Sequence, residues 1–125
     1  MTEIIYKEEV YEAVGACMEV YNSLGFGFLE IVYKDAMEIE FAEQGIEYYR
    51  EKEYPIIYKS NKLRRTFFAD FAIHDKIIVE VKACADGIPE ESLAQTINYL
   101  KASRNKVGLI VNFGKRKLEY KRVIF

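Results

Sequence analysis

Two carboxylates and an amine stand at a spacing that chemistry can use. Asp70, Glu80 and Lys82 fall within residues 67–83, where apolar and polar side chains alternate. The odd positions Phe67, Ala69, Phe71 and Ile73, then Ile77, Val79, Val81 and Ala83, are all apolar. Successive strand residues point to opposite faces, so the pattern predicts a hairpin with these eight on one core-facing surface. Asp70, Glu80 and Lys82 then share the other face. His74-Asp75-Lys76 is the natural turn, and centring it on Asp75 sets Asp70 opposite Glu80, with β-carbons about 5 Å apart. Lys82 follows about 6.6 Å further along that face. A two-residue turn at Asp75-Lys76 would instead send the two acids to opposite faces.

Carboxylates held that close repel one another. A divalent cation between them removes the conflict, since Mg²⁺ commonly takes one or two carboxylates together with waters and substrate phosphate oxygens. Such an ion polarises a phosphodiester and lowers the pKa of a bound water. Lys82 is placed to orient that water or to neutralise charge developing at the phosphate. The same three residues also suit the solvated outer face of an amphipathic hairpin, with Glu80 and Lys82 as a surface pair. Phe68, Ala72 and Ile78 share that face, so another element is expected to cover it.

The rest of the chain must hold this hairpin in place. Val10, Ala13, Val14, Cys17, Met18, Tyr21 and Leu24 recur at helical spacing and predict a helix from about Glu8 to Leu24. Gly25 and Gly27 end it, and a second helix is expected from Phe28 to Gln44. Strands are expected at Glu47–Glu53, Ile56–Lys59 and Leu63–Thr66, with a turn at Ser60-Asn61-Lys62. A third helix should run from Pro89 to Ala102, with Pro89, Glu90 and Glu91 suiting its first turn. Its apolar stripe is Leu93, Ile97 and Leu100, which leaves Gln95 and Tyr99 together on the opposite side, unexplained by the core. Lys106–Phe113 reads as a buried strand and Lys117–Ile124 as the last. The order gives an α/β (α+β) mixed sheet with helices packed on it.

The 125 residues predict one domain, residues 1–125, long enough to bury a core without a disulfide or structural metal. Half the residues are hydrophobic and 30% charged, which excludes a disordered chain and a coiled-coil rod. No apolar run is long enough for a membrane helix. Met1–Tyr11 is acidic and lacks the layout of a signal peptide. Cys17 and Cys84, both in apolar settings, are read as buried, reduced thiols of a cytoplasmic protein. The net charge of −2 conceals a division: residues 1–53 carry 13 acidic and 4 basic side chains, residues 54–125 carry 7 and 14. The last 25 residues hold Lys101, Arg104, Lys106, Lys115, Arg116, Lys117, Lys121 and Arg122 against Glu119 alone, a face that tolerates phosphates.

At this point the sequence resembles a known group. Asp70, nine residues, then Glu80-Val81-Lys82 looks like the core motif of the PD-(D/E)XK nuclease superfamily, with Ala69 where that motif has proline. Gly27-Phe28-Leu29-Glu30-Ile31-Val32-Tyr33 fits Gly-x-x-Glu-x-x-Tyr, Gln95-Thr96-Ile97-Asn98-Tyr99 fits Gln-x-x-x-Tyr, and VGLIVNFG from Val107 to Gly114 looks like the strand after it. Together these resemble the GxxExxY branch of the superfamily, over nearly the whole chain. The resemblance implies a restriction-endonuclease-like mixed sheet flanked by helices. It implies Asp70 and Glu80 as ligands of Mg²⁺ or Mn²⁺, the main-chain carbonyl of Val81 as a third, and Glu30 as an additional acid. It makes Lys82 the catalytic lysine, with Gln95 and Tyr99 lining the site and binding substrate.

Without the family, Glu30 is an acid in the first turn of a helix, where the macrodipole favours it, and Tyr33 is a core residue. His74 is a turn residue. No zinc spacing and no nucleophile elbow is present. The leading expectation is a metal-dependent nuclease acting on nucleic acid, DNA before RNA. A nuclease-fold module that binds nucleic acid or a protein without turnover is the second class. A homodimer built on the 18 Tyr and Phe side chains is the third.

Overall fold

The computed structural model describes residues 4–125; Met1–Glu3, the start of the acidic N-terminal stretch, lie outside the described residues. The elements follow as α1 (Lys7–Leu24), α2 (Glu30–Glu43), β1 (Tyr48–Tyr58), β2 (Asn61–Ile73), β3 (Ile77–Lys82), α3 (Glu90–Ser103), β4 (Val107–Asn112) and β5 (Glu119–Ile124). The five strands form one sheet in chain order, β3 and β4 parallel and the other neighbours antiparallel. The expected fold is present: a mixed sheet flanked by helices. No helix among the described residues is long and apolar enough to cross a membrane.

Both faces of the sheet are covered, which is why β3 and β4 are near-continuous apolar runs buried on each side. On one face Phe71, Ile73, Val79, Val81, Leu109 and Val111 pack against Ala13, Cys17 and Val20 of α1 and Tyr33, Met37 and Phe41 of α2. On the other, Ala72, Ile78 and Ile110 pack against Tyr99 and Leu100 of α3. Helix α3 is the expected cover of the even face, although Phe68 stays exposed. Both cysteines are free, and only Cys17 is buried; Cys84 is half-buried, so the reading of two buried thiols holds for one.

The contact face of α3 differs from the expected stripe. Its buried residues are Ser92, Thr96, Tyr99 and Leu100, while Leu93 and Ile97 are half-buried. Thr96 presses its methyl toward Gly108 of β4, where an added β-carbon would stand 2.6 Å from it. The buried Thr96 hydroxyl donates to the Ser92 carbonyl at 2.7 Å, so no polar group is stranded. Small hydroxyl residues bring this helix onto the sheet, and a count of apolar side chains places its inner face too far round. Tyr99 therefore lies inside, at 8% exposure, and Gln95 outside.

The hairpin turns are tight. The β2–β3 loop is His74-Asp75-Lys76, closed by the Lys76 amide donating to the Ile73 carbonyl, and it sets Phe71 opposite Val79 and Ile73 opposite Ile77. This is the register centred on Asp75. The β1–β2 turn sits one residue earlier than expected, with Tyr58 opposite Asn61 and with Lys59 and Ser60 both at positive φ. The short strands expected before Phe67 merge into two long ones.

The single core face expected for the eight odd residues is broken at one step. Phe71 and Ile73 face α1 and α2, but Phe67 and Ala69 pack with Tyr54, Ala72 and Ile78 on the α3 side. The break coincides with an irregular step across the ladder. Arg50 pairs with Phe71 and Lys52 with Ala69, whereas Glu51 and Asp70 between them do not pair, and Glu51 has φ 53°. A residue in the left-handed region departs from the extended backbone that alternation requires. Asp70 stands at this crossover.

Candidate active site

Asp70 is pinned from two sides. Its Oδ2 accepts the Val81 amide at 2.7 Å, and its Oδ1 accepts the Lys34 ammonium at 3.0 Å. The same ammonium is paired with Glu51. Lys34 is 9% exposed and belongs to the inner face of α2 with Tyr33, Met37 and Phe41. Burial opposes its charge, but hydrogen bonds and attraction from Glu51 and Asp70 outweigh that and hold its pKa above the ordinary lysine value. Neither Lys34 nor Glu51 was singled out by sequence. The available signal was a lysine inside the 33/37/41 stripe of an amphipathic helix.

Glu80 is the most perturbed acid. It is 4% exposed, and its Oε1 is buried with no hydrogen-bond partner. Burial pushes its pKa up to about 10; the Asp70 carboxylate adds to the rise, and Lys82 and Lys34 offset part of it. At neutral pH this carboxyl is therefore protonated and acts on its neighbour as a neutral group. Lys82, half-buried at the end of β3, makes no ion pair among the described residues and lies close enough to favour a charge on Glu80. The three hairpin residues thus converge.

Tyr99 joins them from α3. Its hydroxyl receives a hydrogen bond from Gln95 Nε2 at 3.3 Å. Its pKa is pushed up to about 12, mainly by burial and further by the charges of Glu80 and Asp70. Gln95 and Tyr99 are brought to the acids together, Tyr99 as a buried residue and Gln95 as its exposed partner.

Glu30 is exposed at the first position of α2, one turn before Lys34. It lines a shallow cleft with Phe28, Leu29, Ile31 and Ala83, the residue after Lys82, and makes no side-chain hydrogen bond or ion pair among the described residues. The Gly and Tyr that share its motif have structural tasks. Gly27 has φ 108°, a conformation for glycine. The Tyr33 hydroxyl donates to the Gly25 carbonyl at 2.6 Å and accepts the Phe28 amide at 3.2 Å, while its ring stacks on Phe113 at 4.4 Å. Tyr33 clasps the α1–α2 loop and leaves Glu30 as the motif residue without a packing role.

Among the described residues no three His, Cys, Asp or Glu side chains close on one point. The donor set at the hairpin is two carboxylates on adjacent strands, one with an unpartnered buried oxygen. That set fits a hard cation with oxygen ligands. In the present arrangement the Lys34 ammonium partly compensates the acids.

With this geometry in view, the match to a family model gives the class. A family model described as the PD-(D/E)XK nuclease superfamily matches residues 7–123, so the chain belongs to that superfamily. Its members generally use divalent metals. No curated protein sequence matches the chain. The crystal structure of SSO0001 superposes with a TM-score of 0.62 at 16% identity over 95% of this chain, a likeness of fold. The chain spans 60% of the length of that protein.

Proposed function

We propose that this domain is a metal-dependent nuclease of the GxxExxY branch, hydrolysing phosphodiester bonds in nucleic acid, with DNA as substrate. The observation that carries the reading is Glu80: an acid buried at the end of a central strand, beside a second acid, with an oxygen no protein group satisfies. Structure alone gives no reason to keep such a group, since an isosteric amide or apolar residue avoids its desolvation cost.

Asp70, Glu80 and the Val81 carbonyl are the donors that would hold Mg²⁺ or Mn²⁺, with Glu30 as the further acid on the open side. The ion supplies Lewis-acid polarisation of the phosphate and an activated water. Glu80 would hold the ion in its ionised form, and Asp70 would hold it from a carboxylate already fixed by Lys34 and the Val81 amide. Lys82, free of an ion-pair partner among the described residues, orients the attacking water or meets charge developing on the phosphate. Gln95 holds the Tyr99 hydroxyl, which borders the acids and positions substrate. Lys115, Arg116 and Lys117 in the β4–β5 loop are suited to phosphate contacts that carry no sequence information.

The test is cleavage of labelled DNA and RNA with Mn²⁺ or Mg²⁺ by the wild type, Glu80→Ala and Lys82→Ala. Each variant is expected to lose about 100-fold or more. Equal activity in all three removes the catalytic assignment. Binding without cleavage under either metal favours the module that only binds.

A further inference from the structure

The β1–β2 hairpin carries more chain than the sheet needs. β2 pairs with β3 only over Phe71–Ile73, so the outer part of the hairpin is a two-stranded ribbon without a third neighbour. Asn61–Arg65 are exposed at every position, on both faces. Residues 54–69 hold Lys59, Lys62, Arg64 and Arg65 and no acid. Among the described residues none of these four has an ion-pair partner, whereas Arg50 and Lys52 nearer the site are both paired. The turn itself places Lys59 and Ser60 at positive φ, where glycine or asparagine is usual.

The ribbon leads to the site. An open cleft of about 400 Å³ at its base is walled by Pro55, Ile57 and Phe67 on one side and by Lys101 of α3 and Arg104 just after it on the other. Phe67 meets Tyr99 edge-on with ring centroids 5.0 Å apart, and Tyr99 borders Asp70 and Glu80. Basic ribbon, basic cleft wall and acid pair therefore lie along one path.

The geometry points to this ribbon as an arm that enters the major groove of duplex DNA and grips its phosphates beside the cut. The inference rests on the nuclease reading for its substrate. A two-stranded β-ribbon fits the major groove of B-form DNA, about 12 Å wide. The deep, narrow major groove of A-form RNA does not admit it. Arg64 is six residues from Asp70 along β2, about 20 Å at strand rise. That is about six base pairs at 3.4 Å each. Charge complementarity selects a polyanion, and the width and reach select a B-form duplex.

The experiment measures fluorescence anisotropy of a labelled 20-base-pair DNA duplex in EDTA. It compares wild type with the variant carrying Lys59→Gln, Lys62→Gln, Arg64→Gln and Arg65→Gln, at several salt concentrations. Expected are a loss of at least 30-fold in affinity at 100 mM salt and a fall of about 3.6 in the slope of log affinity against log salt, near 0.9 for each of the four phosphates that the variant no longer neutralises. Mn²⁺ affinity by calorimetry should be unchanged, which shows that the variant is folded. Wild type should also prefer the DNA duplex over an RNA duplex by at least tenfold. Unchanged affinity and slope in the variant, equal wild-type binding of RNA duplex, or a variant that turns a dimer into a monomer while keeping its DNA affinity would each overturn the arm. Arm-dependent binding without any cleavage would leave the arm standing and sink hydrolysis instead.

Discussion

Replacing Glu80 with glutamine should make the metal-free protein more stable, and the gain should depend on pH. Folding buries Glu80 and lifts its pKa from 4.5 to about 10. Between those values the folded protein holds a proton that the unfolded chain has released. Stability therefore falls as pH rises through this window, by about 1.4 kcal/mol per pH unit for one group. Below pH 4.5 the penalty vanishes, because both states are protonated. At pH 7 it amounts to about 3 kcal/mol. Glu80→Gln keeps the shape and removes the titration. Urea unfolding of both proteins in EDTA should show nearly equal stability at pH 4.5 and a difference that widens by about 4 kcal/mol between pH 5 and pH 8. Titrations elsewhere cancel, since both proteins share them. Saturating Mn²⁺ should stabilise the wild type and leave Glu80→Gln nearly unmoved. A difference that stays flat from pH 5 to pH 8 would refute the claim that Glu80 is held protonated.

Two further outcomes follow from the same geometry. Lys34→Met removes the buried ammonium that compensates Asp70 and Glu51, and should cost about 3 kcal/mol in EDTA, with Mn²⁺ restoring more stability to the variant than it adds to wild type; thermal melts with and without the ion check this. Tyr33→Phe keeps the stacking on Phe113 but frees the Gly25 carbonyl and Phe28 amide, and should cost about 1–2 kcal/mol by urea unfolding, with faster amide exchange at Phe28.

Most of this fold can be read from residue patterns because its two central strands announce themselves. VGLIVN and IIVEVK are apolar runs that only a doubly covered sheet accommodates. The Asp75-centred turn then fixes the opposition of Phe71 to Val79 and of Ile73 to Ile77, and the ladder stops just short of Asp70 and Glu80. Two features are not legible. Alternation cannot reveal that Glu51 adopts positive φ, at the step where Phe67 and Ala69 pass to the far face and Asp70 stands at the crossover. Hydrophobic counting also misplaces the inner face of α3, because Ser92 and Thr96 hide their hydroxyls inside the helix while Thr96 packs against Gly108. At the site itself, the place of Lys34 in the buried stripe of α2 hints at a buried charge, but only the fold shows Asp70 and Glu51 as its partners. Charge totals over long segments likewise hide the four basic residues of the ribbon, since acids elsewhere in residues 66–100 balance them.

The most direct measurement is anomalous diffraction from crystals soaked in Mn²⁺. The expected result is a peak between the Asp70 and Glu80 carboxylates, with oxygen ligands at about 2.0–2.2 Å. A map with no peak there in saturating Mn²⁺ would contradict metal binding by this pair of acids.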